Sequence, residues 1–208
     1  ISLKKIEYAA GQKTILNGVS LHCTENDRIC IFGENGAGKS TLLKILCGEL
    51  TADEGTVQKQ GHIRFVYVTQ EFDPSYKDQS IEHYIKTVAG EVFYKKVFAL
   101  GLTLGFDLEK NKEKLCGSLS GGQQKILALS VAFAVSPDFI LLDEPENHLD
   151  IVSRRELILL MDNFKGGIIF ISHDRLVIDN IATKVAELAG GKLHISEGGY
   201  DDYIEMKM

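Results

Sequence analysis

The stretch GENGAGKS, residues 33–40, follows the apolar run RICIF (28–32) and opens the segment KSTLLKILCGEL (39–50), whose apolar residues recur at helical spacing. No other stretch constrains the fold so strongly, because a strand, a glycine-rich loop and a helix must follow one another without interruption. Glycines at 33, 36 and 38 let the backbone curl with its N–H groups pointing inward, and the helix that follows adds the positive end of its dipole. Such a loop holds a chain of phosphates. The pattern GxxxxGK[ST] brings Lys39 to the outer phosphates and the Ser40 hydroxyl to a divalent cation, and the phosphate contacts are assigned to Gly33, Asn35, Gly36, Ala37, Gly38, Lys39, Ser40 and Thr41.

Further apolar runs repeat the first. IRFVYV (63–68), DFILLD (138–143), GIIFIS (167–172) and KVAEL (184–188) read as strands covered on both faces, since they are apolar almost throughout. GGQQKILALSVAFAV (121–135) and DIVSRRELILLMDNF (150–164) have helical spacing. Strands alternating with helices predict an α/β fold with a mainly parallel sheet. The first 25 residues instead contain alternating pieces, ISLKKIEY and GVSLHC, which predict an antiparallel β layer. Between Gln70 and Ser120 the strand signals vanish and IEHYIKTVAGEVFYKKVFALGL reads as helical, so a small helical subdomain is expected over about 71–120. With 208 residues, 44% of them hydrophobic, the whole of 1–208 is expected to form one domain.

The stretch LLDEPENHLD (141–150) ends an apolar strand in four carboxylates, Asp143, Glu144, Glu146 and Asp150, together with His148. A phosphate chain needs a divalent cation, and such a cation needs hard oxygen ligands. Asp143, closing the strand, is the candidate ligand, and Glu144, one residue beyond it, is the candidate general base for an attacking water. A separate calcium site is the weaker reading, because the spacing lacks the DxDxDG pattern. Glu146 reads as a solvated loop charge, and Asp150 as a cap for the helix that begins at 151.

LSGGQQ (119–124) sets Ser120 and two glycines at the start of a strongly helical segment, which is either a helix cap or a second anion grip. Taken in order, GENGAGKS, LSGGQQ, LLDEP and ISHD resemble the motifs of ATP-binding cassette (ABC) ATPases over nearly the whole chain. The resemblance implies a P-loop NTPase core bound to ATP and Mg2+, with hydrolysis to ADP and phosphate. It implies that two cassettes close head to tail, so that Ser120, Gly121, Gly122 and Gln123 grip the γ-phosphate of ATP seated in a partner. Gln70 matches the glutamine that contacts Mg2+ and water, beside Ser40 and Asp143 as metal ligands. His173, in ISHDR, matches the switch histidine at the γ-phosphate, and Tyr8 matches the aromatic residue stacked on adenine. Catalysis then falls to Glu144, His173 and Lys39, through positioning and charge stabilisation.

Two kinds of ABC protein fit. One is the nucleotide-binding subunit of a membrane transporter, docked on a separate transmembrane subunit. The other is an ABC-F protein, a twin-cassette family acting on ribosomes in translation and antibiotic resistance. NHLD (147–150) and the tail GGYDDY (198–203) resemble the ABC-F forms, so that reading is favoured. Two residues depart from it: Glu146 stands where EPTNHLD has Thr, and Lys125 where Arg is common. The chain begins at Ile1 and contains neither a second cassette nor a charged linker, so it is expected to be one cassette of a longer chain, more like the second than the first. The partner is then a second cassette, in the same chain or a homodimer. Ribosome and rRNA contact falls to regions outside this chain, since a net charge of −6 supplies no general attraction for nucleic acid. No apolar run approaches the roughly 20 residues needed to span a bilayer, and the four scattered cysteines form no CxxC pair, so a cytoplasmic compartment is expected.

Overall fold

The apolar runs build a six-stranded sheet ordered β5-β6-β7-β3-β8-β9, comprising β3 (Arg28–Phe32), β5 (Phe65–Val68), β6 (Phe139–Asp143), β7 (Gly167–Ile171), β8 (Lys184–Ala189) and β9 (Lys192–Glu197). Five of the six strands are parallel, and only β9 pairs antiparallel, along β8. Every position of β6 and β7 is buried, which is why their sequences are apolar without alternation. The structure, a computed structural model, describes residues 1–59 and 61–207, with side chains described through Ile204.

A second sheet of three antiparallel strands is ordered β2-β1-β4, with β1 (Ser2–Ala10), β2 (Lys13–His22) and β4 (Glu54–Gln58). Leu3, Ile6, Leu16, Val19 and Leu21 turn inward from it to share one core with Ile29 and Ile31 of β3 and with Leu42, Leu43 and Leu46 of α1 (Lys39–Cys47). Strands β4 and β9 were not anticipated. Both are edge strands with little buried apolar surface, so their sequences lack the pattern that marks the others.

The 22-residue stretch IEHYIKTVAGEVFYKKVFALGL is two helices, α2 (Ile81–Val88) and α3 (Tyr94–Thr103), joined through a 3-10 turn at Glu91–Phe93. Gly90, at φ 93°, breaks them apart. They pack on a core of their own, with Ile81, Ile85, Val97 and Leu108. Helix α4 (Gly121–Ala134) serves both bodies. Its Ile126, Leu129, Ala132 and Phe133 face the parallel sheet, while Leu127, Val131 and Ala134 face the α2–α3 core. Double burial explains why this helix is apolar nearly all round. Helices α5 (Ile151–Asp162), α6 (Arg175–Ile181) and α7 (Tyr200–Lys207) complete the fold on the same face of the sheet as α4, where Leu157, Met161, Val177 and Tyr203 join Phe170.

Candidate nucleotide site

Strands β3, β5, β6 and β7 end along one edge of the sheet, with Ile31 and Asp143 both in register with Ile171, and Val68 with Leu142. The crevice beyond the carboxyl ends of parallel strands is where ligands bind in folds of this kind. Here the four strands deliver GENGAGKS, Gln70, Asp143–Glu144 and Ser172–His173 to the same edge.

The glycine loop curls as the sequence predicts. Gly33 has φ 147°, and a Cβ there would stand 2.3 Å from the Leu188 carbonyl oxygen, so the loop leaves the strand against backbone that only glycine tolerates. Helix α1 starts at Gly38 with no side-chain cap and no acidic residue in its first turn. Its leading N–H groups are thereby left for an anion. Lys39 is 7% exposed, and its Nζ donates to the carbonyls of Gly33 (2.8 Å) and Glu34 (3.0 Å). Burial lowers the pKa of this ammonium, opposed by the charges of Glu144 and Asp143.

Opposite the loop, Asp143 is buried and its Oδ2 accepts from the Tyr67 hydroxyl at 3.0 Å. Burial and the neighbouring Asp143 charge push the Tyr67 phenol strongly up, so it stays a donor. Glu144 adopts φ 46°, an uncommon conformation for a residue with a Cβ. Its N–H donates to the Ile171 carbonyl (3.0 Å), while its Oε2 accepts from Gln70 Nε2 (2.7 Å) and from Asn147 Nδ2. Tyr67 and Asn147 escaped the sequence reading. Asn147 lies three residues after Glu144, a turn spacing that could have flagged it; Tyr67 lies in another strand, with no local signal.

A cavity of about 450 Å³ collects Asn35, Gly36, Gly38, Lys39, Ser40, Thr41, Gln70, Asp143 and Glu144, together with Ile15 from the β layer. An adjoining cavity of about 470 Å³ takes in Gly33 and Ala37. Tyr8, half-buried on β1, packs against the core under the β layer and lines neither cavity. His173 is exposed just beyond β7.

Ser120 caps α4. Its Oγ accepts from the Gln123 N–H (3.3 Å), while Gln123 Oε1 accepts from the Ser120 N–H (3.1 Å), a reciprocal capping box. Gly121 and Gly122 lie against His148, and a Cβ on Gly122 would stand 2.5 Å from the His148 carbonyl oxygen. Lys125, 4% exposed, donates from Nζ to the carbonyls of Gln70 (2.9 Å), Thr69 (3.0 Å) and Asp143 (3.5 Å), tying α4 to the ends of β5 and β6. Burial pushes its pKa down to about 8, although Asp143, Glu146 and Glu144 oppose the shift.

Asp150 accepts from the Ser153 N–H (2.8 Å) and caps α5, as read from the sequence. Glu146 is different: the expected solvated loop charge is 5% exposed, with Oε1 accepting from the Ser172 hydroxyl at 2.5 Å. Burial raises its pKa. The turn at 145–149 tucks its side chain under the sheet edge, beyond the reach of local pattern.

The family profile described as "ABC transporter" matches residues 16–147. ATP-binding protein Uup of Buchnera aphidicola subsp. Schizaphis graminum is 34% identical over 214 residues, covering 100% of this chain and 36% of that protein. ATP-binding protein Uup of Caulobacter vibrioides is 36% identical over 204 residues, covering 98% of this chain and 32% of that protein. The chain thus spans about a third of the length of these curated relatives. Among solved structures, an ATP-binding subunit of an ABC transporter matches with TM-score 0.87 at 20% identity, over 99% of this chain and 92% of that one. A dimeric ATP-binding cassette in a post-hydrolysis state, bound to ADP and phosphate, matches with TM-score 0.82 at 21% identity, over 94% and 97%. The glycine loop on β3, the paired acidic residues on β6 and the capped LSGGQ helix, set beside these relatives, show that this chain belongs to the ATP-binding cassette family and is a cassette of the ABC-F type.

Proposed function

We propose that the chain binds ATP with Mg2+ in the 450 Å³ cavity and hydrolyses it to ADP and phosphate, in a composite site completed by a second cassette. The observation that supports this best is the convergence on Glu144: Gln70 and Asn147 hold its Oε2 while Lys39 and Ser40 stand across the same cavity. Glu144 lines that cavity and acts as general base toward the water that attacks the outer phosphate. Lys39 exchanges its loop carbonyls for phosphate oxygens, and the N–H groups at the start of α1 take the others. For Tyr8, which lies outside both cavities, and for exposed His173, the family resemblance alone supports roles at adenine and at the γ-phosphate.

The donor set suits Mg2+. With Tyr67 on Oδ2, Asp143 keeps Oδ1 for the cation or its water; with its amide nitrogen on Glu144, Gln70 keeps its oxygen; Ser40 adds a hydroxyl. Three hard oxygens with one carboxylate suit a cation that retains waters and shares phosphate oxygens, rather than one caged by protein alone. Its chemistry there is to neutralise charge on the phosphates.

LSGGQ, already capped within the chain, presents Ser120, Gly121, Gly122 and Gln123 to ATP seated in the partner cassette. A role on the ribosome, in translation or antibiotic resistance, is the part of this proposal that the likeness of NHLD (147–150) and GGYDDY (198–203) to ABC-F forms supports. Glu144→Gln tests the catalytic assignment. Nucleotide affinity should persist while turnover falls by about 100-fold or more; turnover at the parental rate removes Glu144 as the base.

A further inference from the structure

Glu146 is the residue that neither the family resemblance nor the nucleotide site accounts for. A carboxyl 5% exposed is costly to bury, and its Oε2 is one of three buried side-chain polar atoms that lack a hydrogen-bond partner among the described residues. Its one side-chain partner is the Ser172 hydroxyl, at 2.5 Å. Ser172, fully buried, in turn accepts from the Asp174 N–H at 3.0 Å. Asp174 continues the chain of contacts in two directions. Its Oδ1 caps α6 at the Leu176 N–H (2.8 Å), and its Oδ2 accepts from Arg154 Nη1 of α5 at 2.6 Å. Arg154 lies one helical turn beyond Asp150, and the Leu149 N–H donates back to the Glu146 carbonyl (3.2 Å). Residues 146–154 and 172–174 thus close a ring, and the Arg154 Nε in it is a second of the unpartnered atoms.

Between the two pinned residues of the second loop sits His173, exposed. Two residues ahead of Glu146 sits Glu144, pinned from its own side by Ile171, Gln70 and Asn147. We propose that Glu146 is a positioning residue: through Ser172 it fixes the backbone on both sides of His173 and couples the loop of Glu144 to the loop of His173. A buried charge serving stability alone would be replaced by an apolar side chain at little loss. Here the burial is directed at one hydroxyl, at the base of the loop that presents the histidine. The inference rests on the proposed roles of Glu144 and His173 at the γ-phosphate.

The test compares Glu146→Ala, Ser172→Ala, their double variant and Glu146→Gln, measuring ATP turnover, ATP affinity and the His173 ring resonances by NMR. Both alanine variants should lower kcat about tenfold with KM for ATP unchanged, and the double variant should fall no further than either. Glu146→Gln, which keeps an oxygen for Ser172, should restore most of the rate, and the His173 resonances should move in both alanine variants but not in Glu146→Gln. Parental turnover in Ser172→Ala, losses that multiply in the double variant, or unmoved His173 resonances would overturn the coupling. Should Glu146→Ala fail to fold, Ser172→Ala and Glu146→Gln decide the matter alone. A parent protein without ATPase activity would instead sink the proposed function, leaving the resonance comparison to judge the coupling.

Discussion

Glu144 stands at φ 46°, a backbone conformation that costs a residue bearing a Cβ on the order of 1 kcal/mol, and the Ile171 carbonyl together with Gln70 and Asn147 holds it there. Its place one residue past an apolar strand was legible in the sequence; its two amide partners were not, because one comes from the end of another strand. Lys125 shows the same division. The letters marked it only as a departure from arginine, whereas the fold makes it a buried ammonium serving three carbonyls. Lys125→Met leaves those carbonyls unserved and should cost about 1–3 kcal/mol at neutral pH, read from urea unfolding. Its pKa is about 8 when folded, below the ordinary lysine value, so the unfolded chain binds the extra proton between about 8 and 10.5. The burial penalty is therefore complete below pH 8 and relieved as the pH climbs through that window. Parental stability should gain an increment there that Lys125→Met lacks, and parallel pH profiles for the two proteins would refute this origin.

At the scale of elements, α4 joins the two halves of the molecule. Its start is a reciprocal cap of Ser120 and Gln123, its second residue rests on the His148 carbonyl, and Lys125 reaches the ends of β5 and β6. The sequence left open whether LSGGQQ was a helix cap or an anion grip; within the chain it is a cap, and the glycine at 122 is also required by close approach to the 147–150 turn. Gly122→Ala, with its Cβ 2.5 Å from backbone oxygen, should lose about 1–3 kcal/mol and lower the melting temperature even without nucleotide. An unchanged melting temperature would show that the turn yields freely. Helices with long apolar repeats were read to within a few residues, since 3.6-residue spacing is a local property. The break at Gly90 and the edge strands β4 and β9 were missed because their cause is local backbone geometry or pairing rather than burial.

For the molecule as a whole, the sheet order β5-β6-β7-β3-β8-β9 sets β7 between β3 and β6. The glycine loop and the Asp143–Glu144 pair are therefore separated by one strand, with His173 just past the end of the strand in the middle. If the remaining half of each site comes from a second cassette, ATPase rate per molecule should climb with protein concentration; a rate independent of dilution would contradict the shared site. Among the described residues no helix is long and apolar enough to cross a membrane. The amino-acid order alone determined the α/β class, the glycine loop, the acidic pair and the family likeness, because each is written in contiguous residues whose spacing has one physical meaning. Tertiary structure decided the rest: that Tyr67 steadies Asp143, that Lys125 is buried, and that Glu146 turns inward to Ser172 rather than out to water. Those depend on which strand lies beside which, and a carboxylate in a loop looks the same in sequence whether water or a buried hydroxyl receives it.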